Sequence, residues 1–362
     1  MTPNQRIGQL FMVAAYSNKD EKHFRQIDTL VARYGVGGIM FMQGGPVRQA
    51  QLTNRFQSKA KVPALIALDA EWGLNMRLDS SMHFAKQMTL GALTDDKYVY
   101  LMGREIALKM KRMGVHVSFS PVLDVNVNPA NPVIGNRSFG ETKEEVARRG
   151  VAYIKGLQDH GVIAVAKHFP GHGDTETDSH LTLPVVNHDM KRLSDVELYP
   201  FHKSFEAGVM GVMVAHLHMP KIDSTKNQAA TLSKPIVTGI LKEKMKYKGL
   251  VFTDALNMKG VSSFYKPGEV DLRALIAGND VLLFPEDVPT AVRKINEAIA
   301  AKQLKQEDID QRVRKILHAK YWAGLNNYKP VSLTNLQQYV DRPMRNEVQE
   351  HLYEHAVTVA RN

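Results

Sequence analysis

One pattern recurs along the chain and constrains its fold more than any other. A stretch of helical character ends at a glycine, and a short run rich in Val, Ile, Leu or Met follows. Glycine suits the end of a helix because it adopts positive φ without the steric cost of a Cβ. Apolar runs without alternation are typical of parallel strands covered on both faces. The glycines that precede these runs are Gly35, Gly114, Gly161, Gly208, Gly249 and Gly278.

Two further apolar runs, residues 8–15 and 64–68, bring the number of predicted strands to eight. Helical stretches lie between the strands, and such alternation is typical of an α/β fold. Eight alternations predict a (β/α)8 TIM-type barrel. A doubly wound open sheet is the rival, but the first strand–helix turn lacks the G-x-G-x-x-G pattern of dinucleotide-binding folds. We therefore predict a (β/α)8 barrel over residues 1–325.

The end of the chain has a different character from the barrel. Beyond about residue 304 the sequence indicates helices joined by loops, without a low-complexity segment. We predict that residues 326–362 form a helical C-terminal tail. This tail either packs on the barrel or serves as the linker to a further domain.

Composition excludes several classes of protein. The 362 residues are 44% hydrophobic and 23% charged, which is typical of a globular domain, and no apolar run approaches the length of a membrane span. Because the chain has no cysteine, disulfides, thiolate metal sites and a cysteine nucleophile are excluded. The net charge is +10, but basic residues are scattered among acids, so we predict a solvated surface and no nucleic-acid partner. Attraction to an anionic glycan stays open.

The compartment and the assembly are not fixed by the sequence. The first residues lack the apolar core and cleavage site of a signal peptide. The cytoplasm and the periplasm both stay open, the latter with a signal segment that is absent from this sequence. The oligomeric state is also open.

Titratable residues follow the predicted strands at the end where barrel enzymes carry their active sites. Because so many of them share one rim, we expect several to be functional. For Asp124, His216 and His218 a structural role and a functional role are equally open. The residues at these strand ends are Asp69, Asp124, Lys167, His168, His216, His218 and Asp254.

The densest cluster of titratable groups is the segment 167–180, which carries three histidines and three acids in a loop with Pro170 and two glycines. Two interpretations compete. Histidine and aspartate at short spacing are metal ligands. Alternatively, Asp178 orients and polarises His180 for proton transfer. The first strand ends without metal ligands, so we predict no metal and no other cofactor.

This segment resembles the K-H-F-P-G-H-G-D-T-x-x-D-S-H signature of family 3 glycoside hydrolases, in the β-N-acetylglucosaminidase branch, and matches it without a gap. The resemblance extends over residues 5–325. Residues 67–73, followed by Arg77, resemble the D-x-E-G-G-x-x-x-R element, with Trp72 in place of its first glycine. Residues 354–362 resemble the point where longer members enter a second α/β domain. Further matching segments are 119–125, 136–140 and 251–258.

The resemblance implies a role for each matching residue. It makes Asp254 the catalytic nucleophile, His180 the acid/base and Asp178 its partner. It also assigns residues that hold the hydroxyl and acetamido groups of N-acetylglucosamine, and Met258 in the nucleophile segment completes this predicted set. The other substrate-binding residues are Asp69, Arg77, Arg137, Lys167 and His168.

The residue chemistry agrees with these roles. A retaining mechanism needs an ionised carboxylate below the anomeric carbon, and Lys167 with two arginines would help to keep Asp254 charged. A histidine near its pKa both donates and accepts a proton. We therefore predict a bacterial, retaining exo-β-N-acetylglucosaminidase that acts on cell-wall-type or chitin-type glycans, with peptidoglycan recycling as the process that the resemblance implies.

Four alternatives stay open at this point. A family 3 β-glucosidase is the nearest in chemistry, although such enzymes typically take their acid/base from a second domain. An N-acetylglucosaminide phosphorylase is the second, because a neutral imidazole base does not repel phosphate. A metal-dependent barrel hydrolase would use His168, His172 and His180, and a glycan-binding barrel would lack catalysis. The natural aglycone is equally open among an anhydromuramoyl peptide, a chitooligosaccharide and a glycoprotein glycan.

Overall fold

A parallel barrel forms the body of the protein. The computed structural model describes residues 1–177, 182–341 and 346–357 and, of residues 346 and 347, the backbone alone. Within this part of the chain, each predicted strand is present and the predicted (β/α)8 fold is confirmed. The strands are β1 (Phe11–Tyr16), β2 (Gly38–Gln43), β3 (Leu65–Leu68), β4 (Val117–Ser118), β5 (Ile163–Phe169), β6 (Gly211–Val214), β7 (Leu250–Thr253) and β8 (Leu282–Leu283).

Neighbouring strands pair in parallel in the order β7-β6-β5-β4-β3-β2-β1-β8. The ring closes because Val281, just before β8, forms a parallel bridge with Phe252 of β7. The interior is packed: the rings of Phe119 and Phe252 meet edge to face with centroids 5.4 Å apart. Because the interior is filled, a ligand cannot bind inside the barrel, and active sites of such barrels lie at the carboxyl end of the strands.

Helices surround the sheet and connect its strands. The α-helices are α1 (Pro3–Gly8), α2 (Glu21–Thr29), α3 (Pro46–Gln57), α4 (Gln87–Leu90), α5 (Lys97–Arg112), α6 (Lys143–Gln158), α7 (Met190–Asp195), α8 (Leu198–Glu206), α9 (Lys259–Ser262), α10 (Glu269–Ala277), α11 (Val288–Ala300), α12 (Gln306–Trp322), α13 (Leu336–Asp341) and α14 (Asn346–Ala356). Two π-helical segments, Leu30–Tyr34 and Pro235–Lys244, continue this outer layer. The outer layer buries the apolar strands on their second face, as their unbroken apolar runs require.

The glycines that predicted the fold act in two ways. Positive φ is found at all of them except Gly249, as expected for residues that end helices. A Cβ on Gly249 would lie 2.2 Å from the hydroxyl of Tyr247 and 2.7 Å from the carbonyl oxygen of Met210. Gly249 is therefore required for close packing rather than for its φ. Gly8, which we placed in the first strand, instead ends α1.

The C-terminal helices lie against the outside of the barrel. Leu336 and Val340 of α13 and Leu352 of α14 are buried. The rings of Tyr98 in α5 and His355 in α14 stack with centroids 4.7 Å apart. The domain boundary at residue 325 stays a prediction. Within the described ranges no helix has both the length and the apolar character needed to cross a membrane.

Candidate active site

A cavity of about 400 Å³ lies at the carboxyl end of the strands. It brings together most of the site residues predicted from the sequence, although these are up to 189 residues apart, from Asp69 to Met258. Asp178 and His180 lie outside the described residues. The predicted residues that line the cavity are Asp69, Arg77, Arg137, Lys167, His168, Asp254 and Met258.

Lys167 joins two carboxylates at one side of the cavity. Its ammonium group donates to Asp69 Oδ1 at 2.8 Å and lies 2.9 Å from Glu71 Oε1. Arg77 Nε donates to the other oxygen of Asp69 at 3.1 Å. Burial would raise the pKa of Asp69, but the charges of Lys167 and Arg77 hold it below its ordinary value. Asp69 is therefore ionised at neutral pH.

Glu71 is a site residue that our sequence analysis did not select. It is fully buried and receives two hydrogen bonds from one guanidinium, from Arg137 Nη2 at 2.7 Å and Nε at 2.9 Å. Burial would raise the pKa of Glu71, but Arg137 and Lys167 hold it far below its usual range. The available signal was position, because Glu71 stands two residues after Asp69 in the same strand-end motif.

His168 is held in one orientation from below the cavity. Its Nδ1 lies 2.7 Å from Asp124 Oδ2, and its Nε2 lies 3.3 Å from Arg137 Nη2. Asp124 is fully buried and also accepts the backbone N–H of His172 at 2.7 Å. Asp124 therefore positions the two histidines and does not line the cavity. This arrangement answers the question that the sequence left open for Asp124.

His172 shapes the loop that follows β5. Its Nδ1 lies 2.8 Å from the hydroxyl of Thr175, and Asn131 donates to its carbonyl oxygen at 2.8 Å. Burial lowers the pKa of His172 to about 4, so its imidazole is neutral at pH 7. Gly173 packs so closely that a Cβ would lie 1.8 Å from the carbonyl oxygen of Val125. The start of the loop is thus fixed to the segment after β4.

Asp254 follows β7 on another side of the same cavity. The backbone N–H of Ala255 donates to its Oδ1 at 2.8 Å. Burial would raise the pKa of Asp254, but His216, His168 and this hydrogen bond hold it below its ordinary value. His216 is buried and its Nε2 donates to the carbonyl oxygen of Ala255 at 3.0 Å, and neither His216 nor His218 lines the cavity. An ionised carboxylate thus faces the cavity across from the ion cluster.

The remaining wall of the cavity is largely apolar. Trp72, which stands where the family motif has glycine, lines the cavity, and the ammonium of Lys86 lies 5.1 Å from the centre of its ring. Gly73 follows with a φ of +95°, so the bend after Trp72 uses the second glycine of the motif. Five of the other side chains that line the cavity are methionines: Met40, Met42, Met76, Met213 and Met258.

The geometry around His168 does not favour a metal ion. The nitrogen that faces the cavity is opposed by the guanidinium of Arg137, and a cation placed there would meet this positive charge. Within residues 1–177, 182–341 and 346–357, no three His, Cys, Asp or Glu side chains are arranged to hold a metal ion. His180, which the metal hypothesis also required, lies outside these ranges.

Comparisons with known proteins agree with this site. Beta-hexosaminidase A of Pseudoalteromonas piscicida is 32% identical over 327 residues, which cover 82% of this chain and 55% of that protein. A beta-hexosaminidase of Neisseria meningitidis serogroup C is 33% identical over 285 residues, covering 75% of this chain and 76% of that protein. The solved structure of a glycoside hydrolase family 3 beta-N-acetylglucosaminidase from Paenibacillus superposes with a TM-score of 0.89 at 35% identity, covering 98% of this chain and 68% of that one.

The chain spans little more than half the length of the Pseudoalteromonas relative. A family model, the glycosyl hydrolase family 3 N-terminal domain, matches residues 2–319, which include all eight strands and each predicted site residue. The match confirms the resemblance seen in the strand-end motifs. This chain therefore belongs to glycosyl hydrolase family 3.

Proposed function

We propose that the protein is a retaining exo-β-N-acetylglucosaminidase. The observation that carries this proposal is the cavity in which the ionised Asp254 faces a cluster of mutually paired ions. Two of the similar proteins are beta-hexosaminidases and a third is a beta-N-acetylglucosaminidase by name. The cavity volume, near the lower end for ligand sites, suits one terminal sugar rather than the interior of a polymer.

In the proposed mechanism Asp254 attacks the anomeric carbon from the face opposite the leaving oxygen. The C–O bond to the aglycone breaks as the carboxylate forms a glycosyl-enzyme ester, and the leaving oxygen takes a proton from the acid group. A water molecule then gives its proton to the same group and attacks the anomeric carbon, which releases Asp254. We assign the proton transfers to His180, supported by Asp178, on the family resemblance alone.

The ion cluster is proposed to hold the sugar. Asp69 offers carboxylate acceptors, whereas Arg77, Arg137 and Lys167 offer donors, so hydroxyl and acetamido groups can be bound from both directions. These side chains are already oriented by one another. Because they need not reorganise when the sugar enters, the binding energy is available to position the anomeric carbon above Asp254.

Substrate selectivity tests the proposed function. We expect kcat/KM for 4-nitrophenyl β-N-acetylglucosaminide to exceed that for the β-glucoside by at least about 100-fold, because the glucoside leaves acetamido-binding groups without a partner. Steady-state kinetics on both substrates measures the ratio. A ratio near one would favour the β-glucosidase alternative. Adding inorganic phosphate and analysing the products for the sugar 1-phosphate separates phosphorolysis from hydrolysis.

The role of His180 has its own test. We expect His180→Ala to slow aryl substrates with poor leaving groups by about 10²–10⁴-fold and those with good leaving groups much less, since only the former need protonation. His202→Ala is the matched control, because His202 lies on the exposed face of α8. Equal slowing across a series of leaving groups would remove His180 from the acid role while leaving Asp254 in place.

A further inference from the structure

A second cavity, of about 1030 Å³, lies at the opposite end of the barrel from the candidate active site. We call it the basal groove, and it is lined from segments 205–210, 246–250 and 315–322. The first two segments lead into the amino ends of β6 and β7. Since the chemistry of such barrels occurs at the carboxyl ends of the strands, the basal groove has no part in the proposed reaction.

The basal groove combines an aromatic floor with exposed aromatic side chains. The rings of Phe205 and Tyr247 pack with centroids 4.4 Å apart, and the Tyr247 hydroxyl donates to Val209 O at 3.2 Å. Above this floor Tyr321 is 69% exposed and Trp322 is 41% exposed. Exposed aromatic rings that line a cavity are candidate contacts for a ligand. Their flat faces suit the C–H faces of pyranose rings.

The charge of the basal groove has one sign. None of its lining residues is acidic, and Lys246 and Lys248 are exposed and paired with no carboxylate among the described residues. Lys315 is paired with Asp280 at 2.5 Å, so the free positive charge belongs to the loop before β7. His318, three residues after Lys315 in α12, also lines the groove. A ligand of this groove should therefore be negatively charged.

We propose that the basal groove binds an anionic glycan. Pyranose rings of the glycan stack on Tyr321 and Trp322, while carboxylates along the chain meet Lys246 and Lys248. A nucleic acid fits less well, because the groove contains no arginine and such interfaces are much more strongly basic. This site goes beyond the proposed function: it would hold the protein on a charged polymer while the cavity at the other end acts on terminal sugars.

Two polymers with the same backbone test the proposal. Carboxymethyl chitin is anionic and glycol chitin is neutral, and each is immobilised for biolayer interferometry with the wild-type chain. We expect tighter binding to carboxymethyl chitin. Trp322→Ala should weaken binding to both polymers by about tenfold through lost stacking. The double variant Lys246→Glu/Lys248→Glu should weaken binding to carboxymethyl chitin alone, by about tenfold at low salt.

Matched variants keep the test specific. Lys22→Glu/Lys302→Glu makes the same charge change at exposed lysines outside the groove. Tyr353→Ala removes an exposed ring on α14 and is the control for Tyr321→Ala, which removes a ring of the groove. All variants should turn over 4-nitrophenyl β-N-acetylglucosaminide at the wild-type rate, which shows that they fold. If the wild type lacks this turnover, the proposed function is wrong. The polymer comparison still tests whether the basal groove binds an anionic glycan.

Three results would overturn the proposal. The first is equal polymer binding by the groove variants and their controls. The second is a groove variant whose molecular mass in sedimentation equilibrium differs from that of the wild type. This face would then be an interface between two copies of the chain. The third is a groove variant that loses more of the wild-type binding to immobilised duplex DNA than of the binding to carboxymethyl chitin.

Discussion

Asp254→Ala is expected to lower kcat/KM for an aryl β-N-acetylglucosaminide by at least about 10⁴-fold without loss of the fold. The carboxylate supplies the covalent bond of the proposed mechanism, and no other described carboxylate faces the cavity without a cationic partner. Asp254→Asn should be as slow, since the amide keeps the shape of the side chain but is a poor nucleophile. Asp79→Ala, at an exposed ion pair with Arg48, is the control for a lost aspartate.

Chemical rescue makes this prediction sharper. Azide is small enough to enter the space left by the Asp254→Ala substitution and to attack the anomeric carbon from the same face. With an activated β-aryl substrate, the expected product is the α-glycosyl azide, identified by NMR. A β-glycosyl azide would instead indicate that the missing carboxylate had served as the acid/base. Unchanged turnover by Asp254→Ala would reject the proposed mechanism altogether.

Lys167→Met should lower the free energy of unfolding by about 3–5 kcal/mol, because it leaves two buried carboxylates facing each other. In the wild type, Lys167 lies between Asp69 and Glu71 and helps to hold the pKa of both below the ordinary value. Arg77 and Arg137 each retain one carboxylate in the variant. Chemical denaturation of both proteins at pH 7 measures the difference.

The pH dependence of this loss follows from the direction of the pKa shifts. Depressed carboxyl pKa values stabilise the wild type above the unfolded values of about 4, and this stability is lost as the pH falls below them. In Lys167→Met one carboxyl pKa rises, so a proton taken up on acidification relieves the repulsion. The difference in the free energy of unfolding between variant and wild type should therefore be largest at neutral pH and should decrease towards pH 4. A gap independent of pH would mean that packing, not charge, causes the loss.

Lys320→Met is the matched control for Lys167→Met. Both lysines are 3% exposed, but Lys320 donates at 2.6 Å only to the neutral side chain of Gln9 among the described groups. Burial lowers the pKa of Lys320 to about 7, so its charge stabilises little at neutral pH. Its replacement should change the unfolding free energy by at most about 1 kcal/mol in either direction. If Lys320→Met lowered the free energy of unfolding as much as Lys167→Met, the burial of the lysine alone would explain both losses of stability.

The barrel could be predicted from local chemistry. Continuous apolar runs such as residues 162–166 are typical of strands covered on both faces, and glycines such as Gly161 end the helices before them. Strand ends then placed Asp69, Lys167 and Asp254 on one rim. This inference needs no knowledge of distances, because parallel strands of a barrel all end on the same side.

Pairing across strands was beyond the sequence. Glu71 stands in a quoted motif, yet its importance comes from Arg137, which lies 66 residues away in another loop. Asp124 was visible as a titratable strand end, but its role depends on the orientation of His168. The exception at Gly249 likewise depends on where the ring of Tyr247 packs. Such contacts arise from closure of the barrel, which brings distant segments together.

The two halves of the cavity wall differ in how they can change during evolution. Each ion of the cluster around Lys167 neutralises its neighbours, so a single replacement strands a buried charge and costs stability before it alters recognition. Methionines such as Met40 and Met213 have no such partners, and flexible apolar side chains tolerate exchange. Changes in substrate preference should therefore accumulate at the methionines that line the cavity. The residues of the ion cluster should be retained together.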